Sequence, residues 1–124
     1  MAIKILIVDD SIFSRTTLSA IFKKSGFEVC GEAENGLEAV EKYLSLKPDL
    51  VTMDILMSKN QEGDGIAAVK AIMKADSRAR IIMISAMNQN AFVAEAIEAG
   101  AKEFITKPFD HAKIIAIAKK VYGE

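Results

Sequence analysis

The spacing of apolar positions switches between two periods along this chain, and the switches mark its elements. Ile3-Lys4-Ile5-Leu6-Ile7-Val8 is a near-continuous apolar run that ends on Asp9-Asp10, the pattern of a strand covered on both faces. Ser11 suits a helix N-cap, and Leu18, Ile21 and Phe22 then recur at helical spacing until Gly26. Residues 27–33 alternate weakly and predict a second strand, broken by Asn35-Gly36. Leu37, Val40 and Leu44 predict the stripe of a second helix, with Glu38 and Lys42 paired along it and Pro48 ending it. Leu50-Val51-Thr52-Met53-Asp54 is a short apolar strand that stops on a carboxylate, and a turn-rich stretch, residues 58–65, follows. Ile66, Val69, Ile72 and Met73 predict a third helix, and residues 80–85 a fourth strand. After a polar break at 86–90, Phe92, Val93, Ala96 and Ile97 predict a fourth helix closed by Gly100. Residues 101–106 predict a fifth strand ending on Lys107-Pro108, and Asp110 can cap a last helix.

A helix after every strand returns the chain to the same sheet edge, so the strands must pair in parallel, with right-handed crossovers. The expected fold class is α/β: a single doubly wound (βα)5 domain over residues 1–124, built on a five-stranded parallel sheet, with no linker or internal repeat. The length of 124 residues suits one domain with a real core.

Composition narrows the class further. A chain 51% hydrophobic and 27% charged is globular rather than disordered. A net charge of −1 without a basic run argues against nucleic acid as a partner. The apolar runs are too short to span a bilayer, and the start of the chain enters a strand without the features of a signal peptide. A single cysteine, Cys30, cannot form an internal disulfide. The expectation is a cytoplasmic protein that neither binds nucleic acid nor inserts into a membrane.

A parallel sheet brings all strand exits to one edge, where open α/β sheets hold their ligands. Those exits carry Asp9 and Asp10, Asp54, Ser85 and Lys107. If the first and third strands are neighbours, three carboxylates share one crevice. Two unit charges about 4 Å apart repel by roughly 4 kcal/mol at an effective dielectric near 20. Either a carboxylate stays protonated or a cation binds, and hard oxygen ligands favour Mg²⁺. Lys107 adds a compact positive charge and Ser85 a hydroxyl that can donate to an oxyanion. This set suits phosphoryl transfer, which needs positioning and charge neutralisation, with Asp54 as a carboxylate nucleophile.

With these residues the chain resembles a receiver domain of the two-component response regulators, near the stand-alone chemotaxis type. The likeness rests on Ile7-Val8-Asp9-Asp10-Ser11, Asp54-Ile55-Leu56-Met57, Asp64-Gly65, Ser85-Ala86 and Lys107-Pro108-Phe109, which together cover the chain. The resemblance implies a flavodoxin-like sheet of order 2-1-3-4-5. It implies that Asp54 is the phospho-acceptor and also borders the Mg²⁺ site, with Asp10 a direct ligand, Asp9 acting mainly through water and Leu56 lending its backbone carbonyl. It makes Ser85 the switch hydroxyl, Phe104 the aromatic that changes rotamer with it, and Lys107 the contact to the phosphoryl oxygens, and it implies a cis Lys107-Pro108 bond. One departure stands out: Ser58 occupies the place of the family's usual proline. If Asp64-Gly65 is the family's Asp-Gly pair, the loop is three residues longer; if Glu62-Gly63 is, one residue longer. Either predicts a more mobile loop beside the site.

The implied function is a switch. A histidine kinase phosphorylates Asp54, the surface of helix four, strand five and helix five changes, and a separate partner responds, either a flagellar motor switch or another chemotaxis component. Within the same class stand a phosphorelay shuttle, a phosphate sink, and the isolated receiver of a methylesterase or transcription factor. From other classes, an FMN-binding flavodoxin-like protein needs a neutral phosphate loop where this chain has Asp9-Asp10-Ser11. A haloacid dehalogenase phosphatase needs its nucleophile on the first strand, with a second Asp two residues on. In the last helix, Ile114, Ile115, Ile117, Ala118, Val121 and Tyr122 cover an arc of roughly 160°. That arc fits either a generously packed core or an apolar rim for a partner. The protein is expected to be a monomer, with this helix the surface for any dimer. His111 is expected on the surface with no ligand role, and Cys30 to be a small strand residue.

Overall fold

The opening apolar run is buried on both sides because the sheet has helices on both faces. Strand β1 (Lys4–Val8) sends Ile5 and Ile7 to one core and Leu6 and Val8 to another. The computed structural model describes residues 2–55, 64–86 and 90–123. After β1 the elements run α1 (Ile12–Lys24), β2 (Glu28–Ala33), α2 (Gly36–Leu46), β3 (Leu50–Met53), α3 (Asp64–Ala75), β4 (Ile81–Ser85), α4 (Asn90–Ala99), β5 (Glu103–Thr106) and α5 (His111–Tyr122). The sheet order is β2-β1-β3-β4-β5, and every pairing is parallel. The predicted α/β class, doubly wound arrangement and strand order are therefore those of the structure.

Helices α1 and α5 close one face, burying Leu18, Ile21 and Phe22 with Ile114, Ala118 and Val121 against Ile5, Ile7, Leu50 and Ile82. Helices α2, α3 and α4 close the other, where Ala39, Tyr43, Ile66, Val69, Ile72 and Ala96 meet Leu6, Val8, Val51 and Met53. At about 25 cal/mol per Å² of apolar surface, these two layers are the main stabilising term of the fold. The predicted caps Ser11 and Asp110 hold, accepting from the backbone N–H of Ser14 and Ala112, and Asn35, expected only to break the second strand, also caps α2 by accepting from Glu38 N–H. Gly26 follows α1 at φ 89°, a backbone conformation suited to glycine. The weak alternation of the second strand has a cause in the register. Ile5 pairs with Val29 and Leu6 with Gly31, so Cys30 is the extra residue of a bulge, and its Sγ donates to the Ile5 carbonyl.

Three expectations change. The stripe Leu37, Val40, Leu44 meets the core only at the half-buried Val40: Leu37 is 74% exposed and Leu44 52% exposed. Gly36, Ala39 and Tyr43 are buried instead, one residue back in register, a rotation of about 100°. The helix packs against α3 as well as the sheet, and Tyr43 donates to Asp76 at 2.8 Å, so an aromatic with a polar tip outweighs the leucines. In α4, Ala96 is buried but Ile97 is 45% exposed, so the stripe faces inward less than its spacing predicted. In the turn-rich stretch, Asp64 and Gly65 belong to α3, while residues 58–63, and with them the expected loop mobility, lie outside the described residues.

The wide arc of α5 divides three ways. Ile114, Ala118 and Val121 are buried, Ile115 and Ile117 half-buried, and Tyr122 is exposed beneath the Arg80 guanidinium, 5.7 Å from its ring centroid.

Candidate functional site

The strand exits meet as the topology requires. β1 and β3 are neighbours with Val8 opposite Met53, so Asp9 and Asp54 each stand just past their strands. Backbone hydrogen bonds hold the exits beyond the strands themselves: Asp54 donates to Val8 at 3.1 Å, Asp9 to Ala33 at 3.0 Å, and Lys107 to Ser85 at 2.9 Å. One carboxylate oxygen each from Asp9, Asp10 and Asp54 lies within 4.8 Å of the others. Asp9 and Asp54 are buried and Asp10 is exposed.

Lys107 links the two buried carboxylates. Its Nζ is 2.8 Å from Asp9 Oδ2 and 3.4 Å from Asp54 Oδ2. The second oxygen of each is held by backbone: Ser11 N–H donates to Asp9 Oδ1 at 2.9 Å, and Ile55 N–H to Asp54 Oδ1 at 2.7 Å. Burial pushes the Asp54 carboxyl above the ordinary range, the Asp9 charge adds to this, and Lys107 and a hydrogen bond from Ser85 oppose it. Burial and then the Asp9 charge raise Asp10 in the same sense. For Lys107, burial alone would lower the pKa, but the hydrogen bond to Asp9 and the charges of Asp54 and Asp9 carry it above the usual lysine value.

Three carboxylates beside one ammonium leave two uncompensated negative charges in a half-enclosed crevice. That excess, the all-oxygen donors and their spacing fit a small hard dication, which would relieve the raised carboxyl pKa values. Asp10, exposed and without a salt bridge among the described residues, is the most open of the three. Leu56, expected to lend a carbonyl, lies outside the described residues, as do Met57, Met87 and Ser58. Ser85 ends β4 and is buried, while Phe104 is half-buried on β5 against the α2–α4 core, two residues before Thr106, the partner of Ser85. The Lys107-Pro108 bond is cis. His111 is exposed at the start of α5 and lines a cleft with Lys107 and Phe13, and Cys30 is a bulge residue whose thiol burial pushes up.

Two more residues shape the site: Gly65, which the sequence reading used only as part of the family's Asp-Gly pair, and Arg15, which had no role in it. Gly65 donates to the Ile55 carbonyl at 2.9 Å, and a Cβ there would overlap the Asp54 carbonyl oxygen and lie 2.8 Å from its carbon. Only glycine lets α3 start this close to the acceptor strand, and the Asp-Gly dipeptide was the visible signal. Arg15 is the other: its Nη1 donates to the Asp9 carbonyl at 2.6 Å and its Nε to Glu32 at 3.1 Å. Lys42 caps the Glu32 carbonyl, and also pairs with Glu38 at 3.5 Å, the spacing predicted along α2. Nothing in the spacing of Arg15 announced that contact.

The sequence model of the response regulator receiver domain matches residues 5–119. The chain belongs to the response regulator receiver family. This receiver is 55% identical over 121 residues to the chemotaxis protein CheY of Thermotoga maritima, covering 98% of both chains. It is 54% identical to the CheY of Bacillus subtilis, covering 97% of this chain and 98% of that one. Among solved structures, it resembles a CheX–CheY–BeF3–Mg complex from Borrelia burgdorferi, with TM-score 0.90, 42% identity, and 97% of this chain and 89% of that chain covered. It also resembles the response regulator domain of Thermotoga maritima CheB, with TM-score 0.90, 38% identity, and 100% and 98% covered. A CheY-like receiver is a signalling protein, and the family assignment sets aside the flavin-binding and phosphatase readings. Among the described residues no helix is long and apolar enough to cross a membrane.

Proposed function

We propose that this receiver takes a phosphoryl group onto Asp54 from a phosphohistidine of a histidine kinase. The observation that carries the reading is the Lys107 ammonium shared between Asp9 and Asp54 with Asp10 alongside. The Asp54 carboxylate oxygen forms the new O–P bond while the N–P bond of the donor breaks, and the leaving imidazole nitrogen keeps the electron pair and takes a proton from water. Asp10, Asp54 and the Leu56 carbonyl, with Asp9 acting mainly through water, would hold Mg²⁺, and the ion would supply charge neutralisation there. Lys107 exchanges its Asp54 contact for a phosphoryl oxygen, and the Ser85 hydroxyl donates to another. Water attack on phosphorus later returns the carboxylate.

The acyl phosphate draws Ser85 inward, Phe104 fills the space released, and the α4–β5–α5 surface changes. That is a local charge event biasing a two-state element. Similarity to CheY proteins along almost the full chain supports a place in chemotaxis, with a separate partner such as a flagellar motor switch component. The same similarity and the free thiol of Cys30 suit a cytoplasmic monomer.

The test is intact mass after incubation with acetyl phosphate and Mg²⁺. One labile adduct of a single phosphoryl group, lost in Asp54→Asn and in EDTA, is expected. An adduct that survives Asp54→Asn overturns the assignment.

A further inference from the structure

Helices α1 and α5 border a surface groove of about 670 Å³. Its floor is apolar, with Ile21, Ala112 and Ile115, and Lys24 and Lys119 stand on its rim. The charge on these two helices is one-sided, and the two lysines that line the groove, Lys24 and Lys119, belong to it. The two helices carry Arg15, Lys23, Lys24, Lys113, Lys119 and Lys120 and not one Asp or Glu, in a chain whose net charge is −1. Arg15 is engaged by Glu32 and Lys120 by Glu103. Lys23, Lys24, Lys113 and Lys119 are exposed and have no ion pair among the described residues.

We infer that the α1–α5 groove docks an acidic amphipathic helix of another protein. An apolar floor between basic rims matches a helix with one apolar stripe flanked by carboxylates, the helix-in-groove mode. The groove runs along α5 from His111 to Lys119, ~13 Å at the rise of an α-helix, so two to three turns of a partner helix would fill it. A second copy of this chain is disfavoured on the same surface, because its lysines would meet lysines. An anionic bilayer or nucleic acid would use the lysines but leave the concave apolar floor without a partner. The inference does not depend on phosphorylation of Asp54.

The probe is a fluorescein-labelled peptide of about sixteen residues with leucines at i, i+3, i+4 and i+7 and flanking glutamates. The same peptide with lysine for glutamate, phosphatidylserine–phosphatidylcholine vesicles and a DNA duplex are tested beside it. Expected is saturable binding of the acidic peptide, with amide shift changes confined to α1 and α5. Lys24→Glu with Lys119→Glu should weaken it about tenfold, and Ile115→Asn should weaken it separately, with circular-dichroism melting showing that each variant folds. Equal binding of the lysine peptide, shifts elsewhere, or indifference to charge reversal overturns the inference. So does binding of vesicles or DNA without binding of the acidic peptide.

Discussion

Asp54→Asn should make the protein more stable in EDTA at neutral pH. The substitution keeps the shape, and the amide oxygen of the new side chain can still accept the Ile55 N–H that now reaches Asp54 Oδ1 at 2.7 Å. The charge is lost, and with it the Oδ2 acceptor of Lys107, because the amide nitrogen takes that place. Asp9 lies within 4.8 Å, a repulsion of at least about 3.5 kcal/mol at an effective dielectric of 20. Lys107 at 3.4 Å attracts by about 5 kcal/mol on the same scale. Asp10 is exposed, and solvent reduces its share to well under ~1 kcal/mol. The pairwise terms leave about 1.5 kcal/mol of attraction, and the cost of burying the charge outweighs it, burial being the leading cause of the raised Asp54 pKa. Removing the charge should contribute about 1–2 kcal/mol, or ~4–8 °C in Tm for a domain of this size. The sign follows from linkage: a carboxyl whose folded pKa lies above its unfolded value of 3.8 destabilises only when ionised. The gain should be complete above the raised folded pKa and vanish as pH falls through 3.8. Thermal melts of both proteins from pH 3 to 8 in EDTA make the comparison. A lower Tm for Asp54→Asn at pH 7 would show that attraction to Lys107 outweighs burial, and the case for a charge-strained acceptor would fail.

Lys107→Met leaves Asp9 buried without its cation and should cost about 2–3 kcal/mol in EDTA at pH 7. Because the Lys107 pKa is raised above 10.5, its contribution is complete below that value and lost as pH rises through the folded pKa, so alkaline melts of the two proteins should converge only above 10.5. Gly65→Ala forces a methyl group into the Asp54 carbonyl and should destabilise by about 3 kcal/mol in urea unfolding and slow adduct formation. Gly26→Ala, where nothing lies within 4 Å, should cost only about 1 kcal/mol for its positive φ and leave the adduct unchanged. Arg15→Gln frees the Asp9 carbonyl and should weaken Mg²⁺ binding by about tenfold in calorimetric titration while Asp54 still accepts phosphoryl from acetyl phosphate at saturating Mg²⁺. Unchanged affinity would leave Arg15 a packing residue.

What local physics and alternation control can be read along the chain. A buried parallel strand must be apolar on both faces, so β1, β3 and β4 stood out as continuous runs, and Ser11 and Asp110 marked helix starts because their short polar side chains satisfy the first N–H groups. Parallel topology then obliged Asp9, Asp10, Asp54, Ser85 and Lys107 to one edge before any distance was known, and the strands of the structure do exit there. The tertiary structure decided what depends on neighbours distant in sequence. Which side of α2 is buried follows from α3 and the Tyr43–Asp76 hydrogen bond, not from counting leucines. That Cys30 is a bulge residue depends on the register with β1. The Arg15 grip on the Asp9 carbonyl, the seat of Gly65 on Asp54 and the sharing of Lys107 between two carboxylates arise from helices and strands meeting across the fold. Periodicity along one segment carries no information about such contacts, because it reports which face is apolar and not what that face will touch.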